Sequence, residues 1–262
     1  MKRLYILLII FISSLFVQCD HAVTIEDDPA TRNYKLKKET WYISGTDIVM
    51  NFLEYEYYEN GLLKHVKMDH GSFKEKDILY NSDGIVKQEI MYSGPNWVDT
   101  LNYICNEQNL LIREETVHTS NITYRNSIEY NYNDNDQLIE TIDRRGNQNT
   151  VYRSTFEYKG GLVAKKYDYA DDYHLRTYEY EYDKGLKTKE TILRNGKTEY
   201  TYIYNYENGL LKSVKGYFSD MPNIDSEENY IYDENNKLII KEVKVSMVSS
   251  YTNHEIHYEY YR

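Results

Sequence analysis

Cysteine and histidine are scarce in this chain, and basic residues are fewer than acidic ones. Two cysteines among 262 residues exclude a scaffold that is held together by several disulfide bonds. The seven histidines are scattered, and His254 and His257 lie three residues apart in a strand-like segment, where they would point to opposite faces. That is poor geometry for one metal ion. The 31 lysines and arginines are outnumbered by 42 acidic residues, and the resulting net charge of -11 disfavours nucleic acid and anionic lipid as partners.

Long apolar runs are absent after residue 17, and no segment beyond Cys19 has the apolar stripe of a helix. The one apolar run, residues 4–17, follows the positively charged start Met1-Lys2-Arg3, as it does in a secretory signal peptide. The run is short for a bilayer span. We therefore expect this segment to direct export of the chain rather than to remain as a membrane helix.

The four residues LFVQ before Cys19 resemble the lipobox of bacterial lipoproteins, in which the cysteine is lipidated and becomes the mature N-terminus. This resemblance implies a lipoprotein signal peptide at residues 1–18. Residues 19–33 are polar and acidic without apolar periodicity, so we expect a flexible tether there. The repeat domain would then occupy residues 34–262. The alternative is ordinary cleavage near residue 20, which would leave a soluble periplasmic or secreted protein.

A tyrosine-rich phrase recurs about every two dozen residues along the chain. Examples are YNSDGIV from Tyr80, YENGLL from Tyr206 and YDENNKLI from Tyr232. The aliphatic residues that follow the turn in successive copies are Leu62, Ile85, Leu110, Leu138, Leu162, Leu186, Leu210 and Leu238. A regular period of this length is the signature of a repeat architecture.

One copy, TYEYEYDKGLKTK from Thr177, predicts the structure of the unit. Its tyrosines and glutamates alternate with the two-residue period of a strand that has one aromatic face. The DKG tripeptide favours a hairpin loop, because aspartate bonds to turn backbone and glycine accepts positive φ. With Tyr182 opposite Leu186 across this loop, Glu181 would lie opposite Lys187 on the face away from the tyrosines.

Eight such hairpins and a closing half-repeat at residues 256–261 predict an all-β fold of about seventeen or more strands. Open sheets of that size curl or coil. We therefore expect an elongated, strongly twisted antiparallel meander, either extended or coiled into a spiral. Residues 34–52, where the phrase is degenerate, would form an N-terminal cap.

The phrase Tyr-Asp-x-x-Asn-Lys-Leu from Tyr232 resembles the YD repeat of RHS-type proteins, whose pattern is Tyr-Asp-x-x-Gly-Arg-Leu. Asn236 stands at the glycine and Lys237 at the arginine, and the resemblance begins near residue 55. Large RHS proteins wind such repeats into a shell around a toxin, but this chain is far shorter. It is more similar to small Gram-negative lipoproteins built from degenerate YD-like repeats. That similarity implies a lipid anchor in the outer membrane, on its periplasmic or surface-exposed face.

Tyrosine is abundant, with 31 residues in the chain, and it is the strongest candidate for a binding surface. A row of exposed phenol rings is suited to stack on sugars or to grip a partner protein. The candidate residues are Tyr55, Tyr57, Tyr58, Tyr178, Tyr180, Tyr182, Tyr202, Tyr204 and Tyr206. The alternative is a structural role, in which large aromatic rings cover a thin sheet.

Catalytic chemistry has no specific support in the sequence. Cys105 replaces the tyrosine of its repeat, and we expect a small buried hydrophobe there rather than a nucleophile. The loops at residues 133–136 and 233–236 offer oxygen ligands of the type that calcium prefers, but hairpin turns select the same residues. We expect no cofactor and no metal. The favoured hypothesis is a non-enzymatic, lipid-anchored binding or scaffold protein for a glycan or an envelope protein. The alternatives are a carbohydrate-active envelope enzyme and an RHS-like shell or delivery module.

Overall fold

The computed structural model describes residues 35–68, 74–94, 97–118, 125–146, 149–219, 226–245 and 253–261. The predicted signal peptide, Cys19 and the tether lie outside these residues. The strands are β1 (Leu36–Ile43), β2 (Val49–Tyr57), β3 (Leu63–Met68), β4 (Glu75–Tyr80), β5 (Val86–Gly94), β6 (Trp97–Cys105), β7 (Leu111–His118), β8 (Arg125–Tyr132), β9 (Leu138–Arg145), β10 (Val151–Lys159), β11 (Leu162–Ala170), β12 (Tyr173–Asp183), β13 (Leu186–Arg194), β14 (Lys197–Glu207), β15 (Leu210–Phe218), β16 (Ser226–Tyr232), β17 (Leu238–Val245) and β18 (His254–Tyr260). In this described part of the chain, no helix has the length and apolar character needed to cross a membrane.

The eighteen strands form one sheet in which each strand pairs antiparallel with its neighbours in the chain. The last strand also pairs with the first, with Tyr258 of β18 opposite Glu39 of β1 and His254 opposite Ile43. The sheet therefore closes on itself into a barrel. The predicted all-β antiparallel meander is confirmed. The prediction of an open sheet, extended or coiled into a spiral, is wrong, because no edge remains between β1 and β18.

The closed ring consists of nine hairpin units, one of which is split between the two ends of the chain. Eight hairpins follow one another from β2–β3 to β16–β17. The ninth unit combines β18 with β1, and Tyr260 lies opposite Leu36 in it. The amide of Tyr261 donates to the carbonyl of Lys35 at 3.0 Å, where the other units have a covalent loop. The predicted closing half-repeat is thus completed by β1, which is a closing strand and not a cap.

Each unit has a β-bulge beside a residue near the end of its first strand, which we call the anchor position. The anchor positions are Tyr57, Tyr80, Cys105, Tyr132, Tyr158, Tyr182, Tyr206, Tyr232 and Tyr260. A bulge bends its strand and increases the local twist. The same bulge, repeated at one level of all nine units, gives the sheet the steady curvature that brings its ends together.

The bulge also corrects the predicted register of the hairpin formed by β12 and β13. Glu181 pairs with Lys189 and Tyr182 with Lys187, which leaves Thr188 as the extra residue. The predicted pairing of Glu181 with Lys187 is therefore wrong by two positions. A shift of register across a bulge moves side chains between faces of a sheet. As a result, Lys187 lies on the same face as the tyrosines.

The two faces of the closed sheet differ in chemistry. Among the described strand residues, every buried one except Thr40 lies on the face that carries the anchor positions. This face is therefore turned towards the axis of the ring. The outer face carries cross-strand ion pairs, such as Lys165 with Glu179 at 2.7 Å and Lys189 with Glu181 at 2.8 Å. Charged groups of this kind suit water and are costly in hydrocarbon.

Most buried apolar side chains lie in two sectors of the inner face, and a smaller cluster around Leu111 of β7 lies next to the first. The first sector lies on β1 to β5 and comprises Leu36, Tyr55, Leu63, Val66, Ile78 and Val86. The second lies on β15 to β17 and comprises Val214, Tyr230 and Leu238. Between them, the described residues of β8 to β14 include three buried side chains, Val163, Glu190 and Ile192. The tyrosines on the inner face of β8 to β14 other than Tyr173 are consequently half-buried and remain partly accessible.

Candidate functional site

The anchor tyrosines form one layer of the inner face, and their hydroxyls link each unit to the one before it. The hydroxyl donates to a backbone carbonyl near the start of the preceding unit's second strand. The pairs are Tyr80 with Leu63 (2.7 Å), Tyr132 with Leu111 (2.8 Å), Tyr158 with Leu138 (2.9 Å), Tyr182 with Val163 (3.0 Å), Tyr232 with Leu211 (2.8 Å) and Tyr260 with Leu238 (2.8 Å). The last pair belongs to the split unit, which therefore follows the same rule as the covalent hairpins.

Burial changes the acidity of these anchor hydroxyls. Desolvation is the largest cause, and it raises the pKa of Tyr57, Tyr80, Tyr132 and Tyr182 to about 12. A phenol that keeps its proton at physiological pH remains a hydrogen-bond donor. The anchor layer is therefore neutral, and its hydroxyls are committed to the backbone of the sheet.

A second layer, two residues before the anchor position, joins tyrosine hydroxyls to carboxylates on the neighbouring strand. The donors and acceptors are Tyr55 with Glu39 (2.7 Å), Tyr130 with Glu114 (2.8 Å) and Tyr204 with Glu190 (3.1 Å). The exposed fractions of Glu39 and Glu190 are 8% and 3%. Burial raises the pKa of the Glu114 carboxyl, while the hydrogen bond from Tyr130 opposes that shift. These carboxylates are buried polar groups that the tyrosines satisfy.

Lysines neutralise part of the buried negative charge. The pairs are Lys76 with Glu89 (3.2 Å), Lys187 with Glu190 (3.0 Å) and Lys241 with Glu228 (3.2 Å). The ammonium of Lys187 also lies 4.4 Å from the ring centre of Tyr204 and 5.5 Å from that of Tyr180. Lys187 therefore contributes both an ion pair and cation–π contacts at the centre of β12 to β14.

Eight of the nine predicted binding tyrosines lie on the inner face. These are Tyr55, Tyr57, Tyr178, Tyr180, Tyr182, Tyr202, Tyr204 and Tyr206, of which Tyr55 is buried and the others are half-buried. Tyr58 is 37% exposed at the hairpin tip after β2, and its hydroxyl donates to the carbonyl of Ile78 at 3.5 Å. Tyr55 and Tyr57 belong to the apolar sector of β1 to β5. The nine tyrosines of the predicted binding surface therefore do not form one continuous surface.

The remaining six tyrosines form one group, which we call the tyrosine arc: Tyr178, Tyr180 and Tyr182 on β12, and Tyr202, Tyr204 and Tyr206 on β14. Within the arc, Tyr182 and Tyr204 use their hydroxyls as donors to Val163 and Glu190. The hydroxyl of Tyr180 makes no hydrogen bond to any residue that the structure describes, and its ring is half-buried. Tyr180 therefore offers a polar group on the inner face that the fold does not use.

Charged groups border the arc on the side of β11 and near the start of β12 and β14. Lys166 lies over the ring of Tyr178 at 4.8 Å and pairs with Asp168 at 3.1 Å. Arg176 pairs with Glu199 at 2.9 Å. The arc therefore combines flat aromatic faces with cations and carboxylates on one concave wall. Within the described residues, no group of three or more histidine, cysteine, aspartate and glutamate side chains is arranged to hold a metal ion.

The acidic hairpin tips are explained by turn formation. Oδ1 of Asn133 accepts hydrogen bonds from the amides of Asn135 and Gln137, both at 3.0 Å. Oδ1 of Asp233 accepts the equivalent pair in its own loop, both at 2.8 Å. Side chains that bond to their own turn backbone in this way stabilise a tight loop. These oxygens have a structural use that does not depend on calcium.

The buried charges of the inner face belong to the candidate site, and the sequence analysis does not predict them. Lys187 looks like a member of the charged outer face when β13 is read without its bulge, whereas Glu190 lies on the tyrosine face in either register. A signal for the bulge exists in the paired aliphatic residues Leu62-Leu63 and Ile85-Val86, because the second residue of each pair is the one that faces inwards. The unit of β12 and β13 has Leu186-Lys187 in place of such a pair and therefore gives no comparable signal.

Comparison with known proteins yields no family for this chain. No protein-family model matches it, and no curated protein matches it. Among solved structures, the crystal structure of TcdB2-TccC3-Cdc42 aligns with 80% of this chain at 13% identity and a TM-score of 0.41, and the chain spans 13% of the length of that protein. A porin-like protein from Bacteroides uniformis aligns over 87% of this chain and 98% of its own, at 11% identity and a TM-score of 0.47. A porin-like protein from Bacteroides vulgatus gives 87% and 99%, at 12% identity and a TM-score of 0.38.

These similarities are too distant to establish a family or a function. The fold described above rests on the strand pairing of the chain itself. The resemblance to RHS-type repeats remains a likeness of motif, with only a loose link to a toxin component among the solved structures.

Proposed function

We propose that this chain is a non-enzymatic glycan-binding lipoprotein of the bacterial cell envelope, which holds its ligand against the tyrosine arc inside the closed sheet. The observation that carries the proposal is the position of the arc on the concave inner wall, in the sector with few buried apolar side chains. A closed sheet of eighteen strands is wide enough to leave space along its axis.

The chemistry of the arc suits a carbohydrate. Tyrosine presents a flat apolar face at low cost in conformational entropy, and it carries a hydroxyl for hydrogen bonding. The hydroxyl of Tyr180 is not used by the described part of the fold, and Lys187 lies beside its ring. A sugar ring that stacks on the arc would find this hydroxyl at its edge. A folded protein partner is less suited to a site on the inner wall of a ring.

The carboxylates of the inner face support a binding role over a hydrolytic one. Glu190 is held by Lys187 and by the hydroxyl of Tyr204, and Glu228 is held by Lys241 and Tyr230. A glycosidase needs two carboxyl groups that flank the scissile bond and are available to the substrate. Carboxylates that are already bonded to lysine and tyrosine side chains of the wall stabilise the fold and are not available to act on a substrate.

The proposal places the protein at the envelope through the lipobox-like segment before Cys19. The charged outer face supports a domain that is surrounded by water, so that attachment would depend on the lipid rather than on the strands. Mass spectrometry of the protein and of Cys19→Ala tests this. We expect acylation and membrane association in the parent, and loss of both in the variant. A variant that stays in the membrane fraction would contradict the lipid anchor.

Binding is tested with the chain from residue 20 onwards, which retains every described strand. We expect retention of one class of glycan on an array, followed by a measurable affinity in calorimetry. Tyr180→Phe removes one hydrogen bond to the ligand and should weaken binding about tenfold. Tyr58→Ala is the matched control at a hairpin tip and should leave affinity unchanged. Absence of any retained glycan, or equal effects of the two variants, would contradict the proposal.

A further inference from the structure

The inner aromatic surface runs further without interruption on β12 and β14 than on the first strand of any other hairpin unit. In these two strands the residue four positions before the anchor position is also a tyrosine, Tyr178 or Tyr202. In the other seven units the same inward position holds leucine, isoleucine, lysine, serine or glutamate, as at Leu53 and Ile128. β14 continues with Tyr200, so that its inward positions from 200 to 206 are all tyrosines. We call the arc together with Tyr200 the tyrosine row.

The length of the tyrosine row suits a chain of sugar units. Inward residues on one strand are two positions apart, or about 7 Å, so the side chains from Tyr200 to Tyr206 extend over about 20 Å. β12 lies about 10 Å from β14 and runs in the same direction, because β13 alone separates them. One sugar ring covers one phenol ring and would leave most of the row unused. A linear polysaccharide that lies along the strands would contact several rings.

The wall of the ring holds the tyrosine row in position. Tyr200 lies across Gly216 of β15, where a Cβ would be 2.6 Å from the Tyr200 hydroxyl oxygen, and this hydroxyl is 3.1 Å from Oγ of Ser226 on β16. A glycine within a strand marks a close approach of this kind. Tyr182 and Tyr204 are held through their own hydroxyls. Rings that are fixed before a ligand arrives lose little conformational entropy on binding, which favours affinity.

The two ends of the tyrosine row differ in accessibility. Tyr182, at the hairpin-tip end, is half-buried. At the opposite end, Tyr173 begins β12, lies on the inner face opposite Ala170 and is 64% exposed. β1 begins at the hairpin-tip end, where Leu36 lies opposite Tyr260, so the tether of the proposed function joins the ring there. The end with Tyr173 is then turned away from the membrane, and a long polysaccharide reaches the row at that end.

We propose that the ligand of the tyrosine arc is a linear polysaccharide, bound along β12 and β14 and entering the ring beside Tyr173. This inference rests on the proposed function and adds the form of the glycan and the direction in which it lies. A short fragment binds at Tyr180, whose hydroxyl makes no hydrogen bond to a described residue. A longer chain also contacts the rings towards Tyr200 and Tyr173. Affinity therefore increases with the number of sugar units until the chain spans the row.

The test measures affinity against chain length by calorimetry, with the chain from residue 20 onwards. The probes are linear oligosaccharides of glucose, xylose, mannose and N-acetylglucosamine, from one to six units long. For the series that binds, we expect six units to bind about tenfold or more tightly than two, because further rings are contacted. Tyr173→Ala should weaken the binding of six units about fivefold and leave that of two units unchanged, since Tyr173 is roughly 20 Å from Tyr180 along the strand.

Trp97→Ala is the matched control. Trp97 is 62% exposed on the inner face at the same end of the ring, but it lies on β6, six strands from β12. Its substitution should leave both affinities unchanged. Equal affinity for two and six units, or equal effects of the two variants on six units, would overturn the inference and leave the proposed function in place. The same holds if the array retains a glycan and none of the linear series binds. Absence of any retained glycan would overturn both.

Discussion

At the scale of the residue, tyrosine contributes both apolar packing and hydrogen bonds to this fold. The ring covers apolar area on a thin wall, and the hydroxyl reaches a carbonyl of the preceding unit, as Tyr132 does with Leu111 at 2.8 Å. Phenylalanine would supply only the first of these contributions. Tyrosine outnumbers phenylalanine by 31 to 6 in the chain, as this double use requires. The same residue type also leaves Tyr180 with a hydroxyl that the described structure does not occupy.

The first prediction compares the stability contributed by a tyrosine hydroxyl that bonds to the backbone with that of one that makes no bond in the described structure. Tyr182→Phe removes the bond to the carbonyl of Val163 and should lower the free energy of unfolding by about 1 kcal/mol. Tyr180→Phe removes no protein hydrogen bond seen in the described residues and should change it by less than about 0.5 kcal/mol. Denaturant unfolding of both variants measures the difference. Equal losses would show that the anchor bond contributes no net stability.

The hairpin unit is the next scale, and its defining feature is the bulge beside the anchor position. The bulge adds one residue to the second strand. The residue opposite the anchor position, such as Leu211, then faces the interior together with later inward side chains such as Val214. The bulge also bends the strand in the same sense in every unit. Two-residue loops, such as Gly160-Gly161, and five-residue loops, such as 133–137, are both compatible with this bulge. The tip is therefore free to vary while the bulge is constant.

The second prediction tests the bulge directly. Deletion of Lys212, the extra residue in the unit of β14 and β15, should leave Leu211 opposite Tyr206 and Ser213 opposite Asn205 in a regular ladder, so that the bend and added twist of this unit are lost. We expect a loss of about 1–3 kcal/mol, because closure of the sheet depends on the curvature of every unit. Insertion of glycine between Gly160 and Gly161 changes chain length at a tip and should cost far less. Comparable losses in the two variants, measured by thermal unfolding, would contradict a special role for the bulge.

The third prediction concerns the layer of anchor tyrosines. The pKa of Tyr57, Tyr80, Tyr132 and Tyr182 is raised from 10.0 to about 12 by burial. Above pH 10 the unfolded chain loses these protons while the folded chain keeps them, so stability is intact below pH 10 and falls as pH rises from 10 to 12. The denaturation midpoint across this range measures the effect. A midpoint that stays constant up to pH 12 would mean that the hydroxyls are not buried.

The whole molecule depends on a closure that local sequence patterns describe only in part. Alternation around Tyr178 and the turn residues at Asp183 predict the hairpins correctly, since strand period and turn chemistry are local properties. The half-repeat at residues 256–261 is also predicted, and its partner in β1 is not. Pairing between β1 and β18 joins residues more than 200 positions apart, and it depends on the summed curvature of all units.

The candidate site, like the fold, is predictable from local sequence only in part. The tyrosine face of β12 and β14 is visible in the sequence as a strand with one aromatic side. The partial burial of that face depends on whether the sheet closes, and the presence of Lys187 on it depends on a bulge. Neither property follows from the period of two residues. The inner position of the tyrosine arc could therefore be obtained only from the complete strand pairing.

Closure of the ring is the central claim, and a disulfide between its first and last strands tests it most directly. Thr40 of β1 lies opposite His257 of β18, and directly paired strand residues are close enough for a disulfide. In a chain with Cys19 and Cys105 replaced by serine, Thr40→Cys with His257→Cys should form an intramolecular disulfide in the monomer, which peptide mass spectrometry detects. Thr40→Cys with Thr177→Cys, which places the second cysteine on β12, should form none. Absence of the first disulfide under oxidising conditions would contradict a closed sheet and return the chain to an open meander.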